Sequence, residues 1–142
     1  MRALDLVTED LSKRFGERWA LRGLSFVARP GSITLLAGRN GAGKTTWMRV
    51  ATGLANPSSG AVRFGGLPVG RVRERLAAVF DDAPVYPQLS GAENLHLLSG
   101  GHSPWTASAR ALAAELDLEP LLRVRADGFS FGQRKRLAVA AA

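Results

Sequence analysis

GRNGAGKTT, from Gly38 to Thr46, has the spacing GxxxxGKT and stands between two very different stretches. Before it comes SITLLA, Ser32 to Ala37, a nearly continuous apolar run of the kind that forms a strand covered on both faces. After it, Trp47, Val50, Ala51 and Leu54 recur at helical spacing and predict a helix with one apolar face. Glycines at such a junction let the chain curl until successive N–H groups converge on one point, to which the helix dipole adds positive potential. The product is a cradle for phosphate. Gly38, Asn40, Gly41 and Gly43 shape it, Lys44 reaches the β and γ phosphates, and Thr45 and Thr46 follow at the helix start, Thr45 with a hydroxyl for Mg2+. The bland alternative is a glycine-rich turn with a surface lysine.

Toward the N-terminus, ALDLV from Ala3 and LSFVA from Leu24 have strand lengths, and GERW from Gly16 has turn character, so the chain opens as antiparallel sheet. Toward the C-terminus, NPSSG from Asn56 breaks the chain, AVRF is a short strand and GG at Gly65 turns it. LAAVF, ending at Phe80, reads as a second buried strand. Beyond it the period changes from two to about 3.6. Ser90 and Glu93 have capping-box spacing for a helix through Leu98, and after Ser103 and Pro104 a further helix puts Trp105, Ala109, Leu112, Ala113 and Leu116 on one stripe. FSFGQRKRLAVAAA, Phe129 to Ala142, opens another helix that Ser130 can cap, with Gly132 permitting close approach.

Composition narrows the classes. A chain of 142 residues, 46% hydrophobic and 22% charged, is long enough for one domain with a core and too balanced for disorder. No apolar run spans a bilayer, and Asp5, Glu9 and Asp10 fall where a secretory signal needs its apolar centre, so the cytosol is the expected compartment. Without cysteine there is neither a disulfide nor a thiolate zinc site, and His96 and His102, at unrelated spacing, read as surface residues. The net charge of +7 invites a nucleic-acid reading, but the arginines are spread along the chain without interleaved aromatics and read as a solvated surface. Lysine, by contrast, occurs only at positions 13, 44 and 135, which makes each one worth inspecting.

GRNGAGKTT and FSFGQ, with ANPSSGAVRFGG and VYPQLSGAENL in order between them, resemble the ATP-binding cassette (ABC) family over nearly the whole chain. The resemblance implies an α/β P-loop NTPase with an ABC-type nucleotide-binding domain: an N-terminal antiparallel β region, a partial RecA-like core and a helical subdomain, C-terminally incomplete. Residues 1–142 would form a single partial domain, with 1–89 as nucleotide-binding core, 90–128 as helical subdomain and 129–142 as the start of the signature helix. ATP and Mg2+ are the implied cofactors. The implied partners are transmembrane permease subunits and a second ATP-binding subunit, in a homo- or heterodimer, with no specific nucleic acid. The implied location is cytoplasmic, peripheral at the inner face of the cell membrane.

Residue by residue, the resemblance puts Phe15 where the family stacks an aromatic ring on adenine, with Trp19 a nearby competitor. It puts Ser130, Gly132 and Gln133 at the signature, acting on the ATP of a partner subunit, though Phe131 replaces one family glycine. Asp81 falls at the glutamine switch. A carboxylate there can still join Thr45 on Mg2+, but it repels phosphate unless the metal is present; the alternative is a solvated loop acid. Gln88 lies past the aromatic and proline that follow the switch. The resemblance also calls for a Walker B Asp, a catalytic Glu and a switch His after the signature, and the chain has no acidic residue or histidine after Asp127. The expectation is a truncated chain that does not hydrolyse ATP alone. The leading reading is the ATP-binding subunit of a membrane transporter; a non-transport ABC protein acting on nucleic acid or ribosomes and a defective gene product are the alternatives.

Overall fold

The computed structural model describes residues 4–81, 85–100 and 107–142, with the side chains of 107–109 outside that description. The chain divides into two compact units, Met1–Leu76 and Ala77–Ala142.

In the first unit, strands β1 (Leu6–Phe15), β2 (Arg18–Ala28), β3 (Ser59–Phe64) and β4 (Leu67–Pro68) form one antiparallel sheet in the order β2-β1-β3-β4. The expected opening hairpin is present, with Phe15 opposite Arg18 across a turn at Gly16. β1 is interrupted between Thr8 and Leu11, where the register shifts against both neighbours and Asp10 takes φ 43. The interruption is a bulge. β3 meets it with Gly60, where a Cβ would stand 2.3 Å from the Asp10 carbonyl oxygen, so no larger residue fits that approach. Helix α1 (Lys44–Ala51) buries Val50 and Ala51 in a core with Leu11, Leu21, Val62, Phe64 and Val72. Trp47 packs at its edge, its ring 5.4 Å from that of Phe26 and its indole N–H donating to the Oγ1 of buried Thr8 at 3.1 Å. Leu54, expected on the same face, lies beyond the helix end and is exposed, because the helix stops at Ala51.

Two expected strands do not form. SITLLA has no ladder partner among the described residues, and Ile33 and Leu35 are 103% and 85% exposed. LAAVF is likewise unpaired, with Ala77 and Ala78 exposed. A continuous apolar run states that both faces are to be covered, but a strand also needs neighbours to receive its amides and carbonyls. None lies against either run among the described residues.

The second unit joins helices α2 (Gly91–Leu98), α3 (Ala107–Glu115) and α4 (Phe131–Ala141) around Leu95, Ala113, Leu118, Leu121, Ala126, Phe129 and Leu137. The expected α2 cap is present: Ser90 N–H donates to Glu93 Oε2 at 2.7 Å and Glu93 N–H to Ser90 Oγ at 3.3 Å. Ser90 Oγ–H also donates to Glu93 Oε2, at 2.7 Å, and this side-chain bond first, with that of the Ser90 backbone N–H second, holds the Glu93 carboxyl below its ordinary pKa. The next amides, of Gly91 and Ala92, go to the carbonyls of Val124 and Leu122, so the start of α2 is closed by the chain itself. His96 is exposed, as expected, while His102, Ser103, Pro104 and Trp105 lie outside the described residues. No described helix is long and apolar enough to cross a membrane.

Candidate functional site

The loop from Gly38 to Gly43 carries the strongest chemistry. Gly41 and Gly43 have φ 82 and 94, conformations that cost a side-chain-bearing residue steric strain, and a Cβ on Gly43 would stand 2.3 Å from the Ala20 carbonyl oxygen. The loop is thus pressed onto β2 at the point where α1 begins. Gly43 is the N-cap of α1 and has no side chain to accept from its first-turn amides. Those amides, of Lys44, Thr45 and Thr46, have no intrahelical acceptor either. The contrast with α2 and α4 is chemical, since both of those starts are closed by capping boxes.

Lys44 folds back over the loop, its Nζ donating to the carbonyl oxygens of Gly38 at 2.6 Å and Arg39 at 2.9 Å. An ammonium held on loop carbonyls at the uncapped start of a helix adds a full positive charge to the partial charge of the first-turn amides. The cleft beside it, of about 240 Å³, is bounded by Ala20, Leu21, Ala42, Gly43, Lys44 and Trp47 among others. That is smaller than the roughly 300–1,000 Å³ of a pocket that encloses an organic ligand. The cleft is thus too small to enclose a nucleotide; Asn40 and Thr45 are exposed and Thr46 is half-buried.

Phe15 is 55% exposed at the end of β1, with the Lys13 ammonium 5.0 Å from its ring centre. Trp19 is 39% exposed, with the guanidinium groups of Arg14 and Arg22 each 5.6 Å from its ring. Neither ring lines the cleft at Lys44, so the structure leaves both as open aromatic surfaces on the same hairpin and does not choose between them.

Ser130, Gly132 and Gln133 come together at the start of α4. Ser130 Oγ accepts from Gln133 N–H at 3.2 Å and Gln133 Oε1 accepts from Ser130 N–H at 2.7 Å, so the Gln133 side chain is already engaged in the cap. Gly132 is exposed, and a Cβ there would meet only Ser130 Oγ, at 3.9 Å. Nothing among the described residues requires glycine at 132. Gly132→Ala is accordingly expected to stabilise the isolated chain by about 0.5–1 kcal/mol through helix propensity, read as a higher denaturation midpoint. A fall in stability would show that the glycine serves this fold and not an approaching molecule.

Asp81 is exposed and pairs with Lys135, Oδ1 to Nζ 3.0 Å. Sequence reasoning marked both residues but not their contact, which spans 54 positions. It also missed Asn94. This side chain is fully buried and holds the loop before α2 by four bonds: its Oδ1 accepts from Tyr86 N–H at 2.7 Å, and its Nδ2 faces the carbonyls of Tyr86, Leu89 and Ser90 at 3.0–3.2 Å. The available signal was an asparagine, a poor helix former, beside Leu95 in the first turn of an otherwise apolar face. Among the described residues no three His, Asp or Glu side chains gather as a metal site, so Mg2+ here would need phosphate oxygens and water to complete its shell, its ordinary habit with nucleotides.

The sequence profile described as ABC transporter matches residues 21–142. The chain is 36% identical over 157 residues to the phosphonates import ATP-binding protein PhnC of Rhodopseudomonas palustris, covering 96% of this chain and 58% of that protein. It is 36% identical over 139 residues to the cytochrome c biogenesis ATP-binding export protein CcmA 1 of Salmonella paratyphi A, covering 95% and 66%. A solved structure of the ATP-binding subunit of an ABC transporter superposes with a TM-score of 0.79 at 27% identity, over 96% of this chain and 60% of that one. The chain thus spans between about half and two thirds of the length of each. With the profile covering all but the first twenty residues, and the glycine loop, its lysine and the capped FSFGQ helix in place, the chain belongs to the ABC transporter family and has the fold of its ATP-binding subunits.

Proposed function

We propose that the chain is the nucleotide-binding part of an ABC transporter, which takes Mg-ATP on the Gly38–Thr46 loop and works with separate transmembrane permease subunits at the inner face of the membrane. One observation carries the reading: the uncapped start of α1, with left-handed glycines before it and Lys44 folded over the loop. On binding, Lys44 exchanges its two neutral carbonyl acceptors for anionic phosphate oxygens, so that both partners of the bond are charged. The first-turn amides gain acceptors they lack in the free chain, and Thr45 offers its hydroxyl to Mg2+. ATP itself supplies the phosphoanhydride whose cleavage drives transport. Phe15 or Trp19 gives the base a ring to stack on, and Ser130 and Gly132 face the ATP of a second subunit. One relative imports and another exports, so the proposal stops at the ATP-binding role they share.

The test is amide hydrogen exchange on the purified chain with and without Mg-ATP, followed by a phosphate-release assay. Amides from Gly41 to Thr46 are expected to slow on nucleotide addition, and phosphate release measured beside a Lys44→Ala control separates binding from turnover. Unchanged exchange across the loop at saturating Mg-ATP would refute the binding role.

A further inference from the structure

Lys135 has three neighbours from two segments of its unit. Its Nζ donates to the carbonyl oxygen of Phe80 and to Asp81 Oδ1 at 3.0 Å, and it stands 5.5 Å from the centre of the Phe131 ring. The two members of the ion pair are unequally placed: the Lys135 side chain is 24% exposed and that of Asp81 94%. An ammonium so enclosed depends on its acceptors, whereas the carboxylate can return to water at little cost. Lys135 is therefore the fixed member and Asp81 the exchangeable one. The flanking cations do not compete, since Arg134 Nε donates to the Phe129 carbonyl at 3.1 Å and Arg136 Nη1 to the Leu116 carbonyl at 3.0 Å and to Asp117.

We propose that Lys135 is a positioning residue that ties Phe80–Asp81 to α4 and supplies the counter-charge for Asp81, which weakens the hold of this carboxylate on a divalent cation. The proposal rests on the nucleotide-binding reading for its relevance to Mg-ATP, but not for its geometry. It links the occupancy of Asp81 to the first turns of α4, because the same ammonium lies over Phe131, which directly follows Ser130.

The experiment uses the full chain without nucleotide. The probe is Mg2+ alone, titrated while the Asp81 carboxyl carbon is followed by NMR in wild type, Lys135→Met and Lys135→Arg. The methionine variant keeps the aliphatic packing and loses the charge, and should bind Mg2+ at Asp81 about fivefold more tightly, the scale of one partly exposed ion pair. The arginine variant should behave as wild type. Backbone order parameters at Phe80 and Asp81 should fall in the methionine variant and recover in the arginine one. An identical Mg2+ response in all three proteins, or an arginine variant that behaves like methionine, overturns the proposal. If Lys135→Met does not fold, Lys135→Gln, which keeps a donor for the Phe80 carbonyl without the charge, makes the same comparison. None of these readouts involves the Gly41–Thr46 amides, so a failure here is separable from failure of the phosphate-loop reading.

Discussion

Lys44→Ala is expected to weaken Mg-ATP binding by roughly 30- to 150-fold, the equivalent of about 2–3 kcal/mol for a lost hydrogen-bonded charge contact. The effect should fall on the ligand and hardly on the fold. Among the described residues the ammonium is bonded to the Gly38 and Arg39 carbonyls alone, both at the surface, where water replaces it at little cost. The glycine conformations that shape the loop belong to Gly41 and Gly43 and to the contact with Ala20, none of which involves the lysine side chain. Calorimetry with Mg-ATP gives the affinity, and a thermal melt of the same sample checks the fold. Equal affinity for both proteins, with both folded, would mean that the loop is a turn with a surface lysine.

Asn94→Ala should lower the stability of the second unit by about 3 kcal/mol, at the upper end for a single substitution, because it strands several buried polar groups together. The asparagine serves Tyr86 at both its N–H and its carbonyl and also takes the carbonyls of Leu89 and Ser90, in a place with no solvent access. No water can enter to replace it without disturbing Leu95 next to it, which is itself buried. Asn94→Asp should be at least as damaging, since an oxygen would replace the amide nitrogen that faces three carbonyls. Urea denaturation measures the loss, and exchange at the Tyr86 amide shows where it occurs. A midpoint within about 0.5 kcal/mol of wild type, with Tyr86 still protected, would show that other contacts hold this loop.

Such contacts mark the limit of what the sequence discloses. The β1–β2 hairpin, the α1 start and both capping boxes are local devices, built from residues a few positions apart whose spacing states the geometry. The Ser90–Glu93 box and the Ser130 cap were legible for that reason. SITLLA and LAAVF were not, because an apolar run encodes a wish to be covered and not the identity or presence of a neighbour. Asn94 and the Lys135–Asp81 pair were missed for related reasons: a buried amide looks like any polar helix residue until the loop it faces is known, and a contact across 54 positions leaves no periodic trace. In the candidate site, the loop and Lys44 could be read directly, whereas the engagement of Gln133 in its own cap could not be assigned ahead of its role toward a partner.

The bulge in β1 has a geometric consequence for the phosphate loop. In a regular strand, residues three apart point to opposite faces, yet Thr8 and Leu11 are both buried, 1% and 0% exposed. The extra residue at Asp10 resets the phase, so one strand sends two successive inward side chains to the same side of the sheet. Leu11 enters the core under the hairpin, and Thr8 receives the indole N–H of Trp47, three positions after Lys44 on the same helix. The rotational setting of α1, and with it the direction in which its first amides point, is thereby indexed to a single inserted residue on a strand that itself touches no phosphate.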